Sequence, residues 1–157
     1  IGPARALAEA GAVLSLGSDQ SAVVDPFLEL RALEAGERLS ARSRGRFSPA
    51  ELDAARSSGG YRALGLHSDL PNGDLPNSGL PNSGLRVGAP ADLIEVDAGS
   101  VRTAGACLAQ LPLAATAADV TRVFVGGELV ARHGLLADGR DPAAMLRGAL
   151  RQLPTEV

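Results

Sequence analysis

The chain has 157 residues, of which 45% are hydrophobic and 21% charged, with a net charge of −3 and a mean hydropathy of +0.09. That is one domain's length and a globular composition, which argues against disorder and against a membrane span. The negative balance offers no electrostatic attraction to nucleic acid or to an anionic membrane.

Aromatic residues make up only 3% of the chain, so a core has to be assembled from Ala, Leu and Val, which bury less area per residue than rings do. Every basic residue is Arg and none is Lys, a bias that fits GC-rich codon usage better than a function. The single cysteine, Cys107, excludes an internal disulfide framework and a cysteine-based zinc cluster, and suits a reducing cytoplasm. A chain that opens Ile1-Gly2-Pro3 and turns helical within a few residues reads as the interior of a longer protein.

In chain order, residues 3–10 (PARALAEA) place Pro in a first turn and suit a helix ending at Gly11. The apolar run 12–16 (AVLSL), stopped by Gly17-Ser18-Asp19, has the pattern of a buried parallel strand. Asp25-Pro26 reads as a cap followed by the first helical residue. Phe27, Leu30, Leu33 and Leu39 then recur near helical spacing, predicting an amphipathic helix of about 14 residues.

Residues 42–46 form a basic loop, and Ser48-Pro49-Ala50-Glu51 is a capping box that opens a second helix running to Ser57, with Gly59-Gly60 as its stop. Residues 61–66 would add one short turn. From Leu70 to Leu85 the chain repeats LPNGD, LPNSG, LPNSG, a density of Pro and Asn that favours a surface loop. Calcium binding or peptide recognition there would have only Asp69 and Asp74 to draw on.

The pattern then becomes β. Residues 91–97 alternate apolar and polar as a half-buried strand does, and 123–130 read as a hairpin around Gly126-Gly127. A one-turn helix over 116–120 precedes that hairpin. A final helix begins at Asp141-Pro142 with Met145, Leu146, Ala149, Leu150 and Leu153 on one face.

Asp19 is the foremost candidate for chemistry. A carboxylate directly after a buried strand stands where α/β barrels place reactive groups, because strand ends are rigid and open into a loop-lined face. Taken alone, a Gly-Ser-Asp turn is as readily structural, the carboxylate simply accepting backbone hydrogen bonds.

Residues 14–42 (LSLGSDQSAVVDPFLELRALEAGERLSAR), SPAELDAARSSGGYRALGL, VGAPADLIEVDAGSVRTAG and AADVTRVFVGGELVARHG together resemble, in order, the carboxy-terminal third of the amidohydrolase superfamily. The GxxADL and VxVGGxxV pieces are widespread there. Gly17-Ser18-Asp19, Asp25-Pro26-Phe27, Glu29-Leu30-Arg31 and Glu34-x-x-Glu37-Arg38-Leu39 are most similar to the formimidoylglutamate deiminases of histidine degradation.

The resemblance implies an α/β fold, with the last strand and helices of a TIM-type (β/α)8 barrel over residues 1–66. The LPN loop would occupy 67–86, part of a small β-sandwich domain 87–136, and a carboxy-terminal helix 137–157. It also implies zinc as cofactor, with Asp19 as metal ligand and proton shuttle in hydrolysis of N-formimino-L-glutamate to N-formyl-L-glutamate and ammonia. Relatives often carry His two places after this Asp, where this chain has Ser21 preceded by Gln20.

A catalytic zinc normally takes three protein ligands, which the family draws from an HxH pair and further His residues. This chain holds only His67 and His133, neither in such a pair, so both read as solvated loop residues. The remaining ligands would lie in an amino-terminal part of the same protein, which becomes the expected partner alongside a small-molecule substrate.

Other candidates have plain readings. Cys107 is expected to be a small buried hydrophobe rather than a nucleophile. Arg42, Arg44 and Arg46 suit an exposed basic loop or the capture of an anion such as a substrate carboxylate. Glu34, Glu37 and Arg38 suit a solvated helix face or a homodimer contact. Two alternatives to the deiminase stay open: another deaminase of the superfamily acting on a cyclic amidine, and an inactive fragment or interaction module.

Overall fold

The computed structural model describes residues 2–19, 23–65 and 91–153. The LPN repeat and His67 lie outside the described residues, as do Gln20 and Ser21. The chain divides into two units, one from residues 1–89 with Ala98–Asp119, the other from Pro90–Asp97 with Val120–Val157. Among the described residues no helix is long and apolar enough to cross a membrane.

The first unit is helical. Helix α1 (Ala4–Glu9) matches the Ala-rich run. Helix α2 (Pro26–Ala41) is 16 residues long and starts as the sequence predicts, with the Asp25 side chain accepting from the N–H groups of Phe27 and Leu28. Helix α3 (Pro49–Arg56) opens on a complete capping box in which Ser48 accepts from the Glu51 N–H and Glu51 from the Ser48 N–H. Such a cap stabilises a helix end by about 1 kcal/mol.

Leu30, Phe47 and Leu52 form the core of this unit, with Ala4, Ala8, Leu14, Leu16, Leu33 and Leu113 packed around them. Helix α4 (Ser58–Ala63) follows α3 directly. The second helix ends at Ser57 as expected, but Gly59-Gly60, expected as the stop after it, is itself helical. The reason is a close approach, since a Cβ at Gly59 would collide with the carbonyl oxygen of Leu14.

Residues 12–18 form neither helix nor ladder, which corrects the expectation of a buried parallel strand over 12–16. Leu14 and Leu16 face the helical core while Val13 is about half exposed. Leu16 donates its N–H to the Ala55 carbonyl at 3.0 Å. A parallel strand needs backbone neighbours on its edges, and among the described residues none lies alongside this segment as a strand.

Residues 98–119 return to α2. The short helix α5 (Leu111–Ala114) is tied to it by Arg31, whose Nη1 donates to the carbonyls of Ala115 at 2.6 Å and Leu113 at 3.4 Å. A 3₁₀ turn at Ala117–Asp119 follows, close to the one-turn helix expected there. Asp25 Oδ2 accepts from the Ala117 N–H at 3.1 Å while its Oδ1 caps α2.

The second unit is a four-stranded antiparallel sheet in the order β1 (Leu93–Val96), β2 (Val120–Val125), β3 (Glu128–Arg132), β4 (Leu135–Leu136). Strand β1 and the β2–β3 hairpin are where the sequence places them. The Gly126-Gly127 turn has positive φ at both residues, the primed geometry that a two-residue hairpin needs. Asp92 braces it by accepting from the Gly126 N–H at 2.6 Å, and the Ala91 carbonyl accepts from Gly127.

One sheet is described; the second layer expected of a β-sandwich is not among the described residues. Helix α6 (Pro142–Leu150) is capped by Asp141 as predicted. Its apolar face, Met145, Leu146 and Leu150, is exposed rather than covered.

Asp25 joins the helix N-terminus to the returning segment, so Asp25→Ala should cost about 1–2 kcal/mol and lower the thermal midpoint by about 2–4 °C per kcal/mol. Asp25→Asn, which keeps a capping oxygen, should lose less. Circular dichroism melts of the two variants check this, and an unchanged midpoint for Asp25→Ala would contradict it.

Candidate functional site

Asp19 follows the irregular segment 12–18. It is exposed, and its φ of +44° places it in the left-handed region, which Asp enters at lower cost than most residues. The segment behind it is anchored on one side by Leu14 and Leu16 in the helical core and by the Leu16–Ala55 hydrogen bond. Asp25, six residues further on, fixes the chain again at the start of α2. The carboxylate is thus exposed just beyond the anchored Leu14–Leu16 segment, where it can present an acceptor to a bound molecule.

No other predicted ligand joins it. Among the described residues there is no group of three or more His, Cys, Asp or Glu able to hold a metal ion. His133 belongs to the other unit, where its φ of +47° beside Gly134 at +77° makes the two-residue turn between β3 and β4. Its N–H donates to the Thr121 carbonyl at 2.8 Å. It is an exposed turn residue, as read from the sequence.

Three other readings change. Cys107 is exposed rather than buried; its carbonyl accepts from Gln110 and Leu111 in the turn before α5. Glu34 and Glu37 are not a solvated face. The Glu34 carboxylate accepts from the N–H groups of Gly45, Arg46 and Phe47 at 2.9–3.3 Å, and buried Glu37 accepts from the Arg5 N–H at 3.0 Å. Both serve loop and helix ends whose backbone donors would otherwise lack partners.

The basic loop is mixed. Arg42 and Arg44 are exposed, whereas Arg46 is half-buried and its carbonyl accepts from Arg5 Nη1 at 3.1 Å. Arg5 also reaches Glu9 at 2.9 Å and Glu51 at 2.7 Å and lies over the Phe47 ring at 5.4 Å. It therefore locks α1, the loop and α3 together, and its own charge is committed.

The most tightly held carboxylate is Asp119, which sequence reading passed over. It is buried and takes a bidentate fork from Arg102, Nε at 2.9 Å and Nη2 at 2.7 Å, plus the Thr116 N–H at 2.8 Å and hydroxyl at 3.1 Å. The Arg102 fork first, then the Ser100 hydroxyl, hold its carboxyl well below the usual carboxylate range against the opposing cost of burial. With its lone pairs taken, it stays ionised and serves structure rather than proton transfer. The available signal was Thr116-x-x-Asp119, a local cap pattern.

Because its folded value lies below that of the unfolded chain, near 3.9 for an ordinary Asp, the stabilisation from Asp119 is present at neutral pH and disappears as pH falls through that range. Asp119→Asn should therefore be less stable than the parent at pH 7, with the gap closing below about pH 4. Denaturant titrations at a series of pH values read this directly, and a pH-independent gap would contradict it.

Against known proteins, no family profile and no curated protein matches the chain. It is similar to a crystal structure of an adenosine deaminase from Xanthomonas campestris with bound zinc, at 28% identity and a TM-score of 0.75. The match covers 95% of this chain and 32% of that one, so the chain spans about a third of that enzyme's length. The likeness is to a deaminase of the amidohydrolase type, and the narrower similarity to formimidoylglutamate deiminases finds no separate support in it.

Proposed function

We propose that the chain is the carboxy-terminal part of an amidohydrolase-type deaminase, with Asp19 as the carboxylate that handles the proton of the attacking water. The observation that carries this reading is the match to the deaminase over 95% of the chain, taken with an exposed Asp19 just beyond the anchored Leu14–Leu16 segment. Apolar residues left uncovered in the second unit, among them Ile94, Val125 and Leu146, are consistent with packing against further chain.

The preferred substrate is N-formimino-L-glutamate, as in histidine degradation, on the strength of the Asp19, Asp25-Pro26-Phe27 and Glu34 to Leu39 pattern. Water would add to the formimino carbon, its proton passing to the Asp19 carboxylate. The C–N bond would then break, the proton returning to the departing nitrogen as ammonia leaves. A cyclic amidine is the second reading, favoured by the adenosine deaminase likeness.

Zinc, which the likeness implies for the whole enzyme, does not fit the described residues as a site: a catalytic zinc needs three protein ligands, and Asp19 has no ligating companions among them. Its other ligands would have to come from elsewhere in the protein.

The test uses the complete reading frame that contains the chain, assayed for ammonia release from N-formimino-L-glutamate and from adenosine. Asp19→Asn should lower turnover by about 100-fold or more. Undiminished turnover would sink the role of Asp19, and release confined to adenosine would reject the acyclic substrate.

A further inference from the structure

A shallow cleft of about 410 Å³ lies at the carboxy-terminal end of α2, lined by Ala35, Arg38, Leu39, Arg42, Ser43 and Arg44. We infer that it binds a diphosphate group, whether free or carried on a nucleotide. Ala35, Arg38 and Leu39 stand at i, i+3 and i+4 of α2 and form one wall, which Arg42 at the cap extends. Ser43 and Arg44, from the loop that follows, complete it.

The arginines of the cleft, like Arg46, Arg62, Arg132 and Arg151, face no carboxylate among the described residues, and they line one cleft together. Arg5, Arg56, Arg102, Arg122, Arg140 and Arg147 each face a carboxylate, and Arg31 spends its guanidinium on carbonyls. Among the described residues no carboxylate lies within ion-pair distance of Arg38, Arg42 or Arg44. The neighbouring acids are engaged elsewhere, Glu34 by the amides of residues 45–47 and Glu37 by the Arg5 N–H. A local cluster of positive charge thus stands open on a chain whose net charge is −3.

The fold accepts two costs to keep it. Arg38 and Arg42 are like charges at i,i+4, which repel. Arg42 also occupies the cap of α2 with a φ of +53°, a left-handed position where glycine stands without strain. The helix dipole accounts for one cation in the last turn; it accounts neither for a charged residue at the strained cap nor for Arg44 beyond it.

Guanidinium forks match phosphate oxygens two at a time. Three of them exceed what one carboxylate or a single phosphate can neutralise, and they suit the two linked tetrahedra of a diphosphate. Exposed Leu39 beside them offers an apolar surface to whatever the diphosphate carries.

Isothermal titration of the protein with inorganic pyrophosphate, and separately with ADP, tests the site. Binding is expected for both, with Arg38→Ala, Arg42→Gly and Arg44→Ala each weakening it about tenfold or more, the loss of one charge-assisted contact. Arg42→Gly should at the same time hold or raise the thermal midpoint, since it relieves the left-handed strain, which separates loss of binding from loss of folding. Arg140→Ala, which removes an arginine paired with Asp138, should leave affinity unchanged. Tighter binding of ADP assigns the site to a nucleotide, and equal affinities assign it to the diphosphate itself. Absence of binding, or affinity that survives the three substitutions or falls equally in Arg140→Ala, would overturn the proposal.

Discussion

The carboxylate of Asp25 is shared between two stretches of chain far apart in sequence. One oxygen accepts from Phe27 and Leu28 and so starts α2; the other accepts from Ala117 and so fixes the segment that returns beside it. Arg31, less than two turns along the same helix, repeats the connection to the Leu113 and Ala115 carbonyls. Helix α2 is therefore held at its beginning by polar contacts as well as by its buried Phe27 and Leu30.

Such dependence on charged side chains follows from composition. With 3% aromatics, only Phe27 and Phe47 supply buried rings, and each is flanked by a guanidinium at 5.4 Å, Arg56 and Arg5 respectively. The rest of the core is small aliphatic. Backbone donors at loop and helix ends still require partners, and here the partners are Asp25, Glu34, Glu37, Glu51 and Asp119. Each is a carboxylate aimed at main-chain N–H groups. Exposed ion pairs contribute little on their own; a carboxylate that satisfies two or three amides at once sets geometry.

What could be read from the sequence was what local chemistry dictates. The caps at Asp25, Ser48 and Asp141 and the primed turn at Gly126-Gly127 depend on residues a few positions apart, and all lie where expected. The reading failed where a distant partner decides. Gly59-Gly60 looks like a stop until Leu14 is seen against it, Glu34 looks solvated until the 45–47 loop folds over it, and the run 12–16 looks like a strand although no ladder flanks it among the described residues. Asp19 was identified from its position after that run, and the structure keeps it exposed just beyond the anchored Leu14–Leu16 segment while giving it no metal-ligating companion among the described residues. The Arg42 cap was invisible because left-handed backbone at a non-glycine residue leaves no mark in composition.

The central claim, that Asp19 marks the working site of an amidohydrolase-type deaminase, is most directly tested by anomalous X-ray diffraction at the zinc edge from crystals of the complete protein. The account predicts one zinc that would be held by Asp19 together with ligands from elsewhere in the protein. A zinc bound elsewhere, with Asp19 outside its coordination shell, would contradict it.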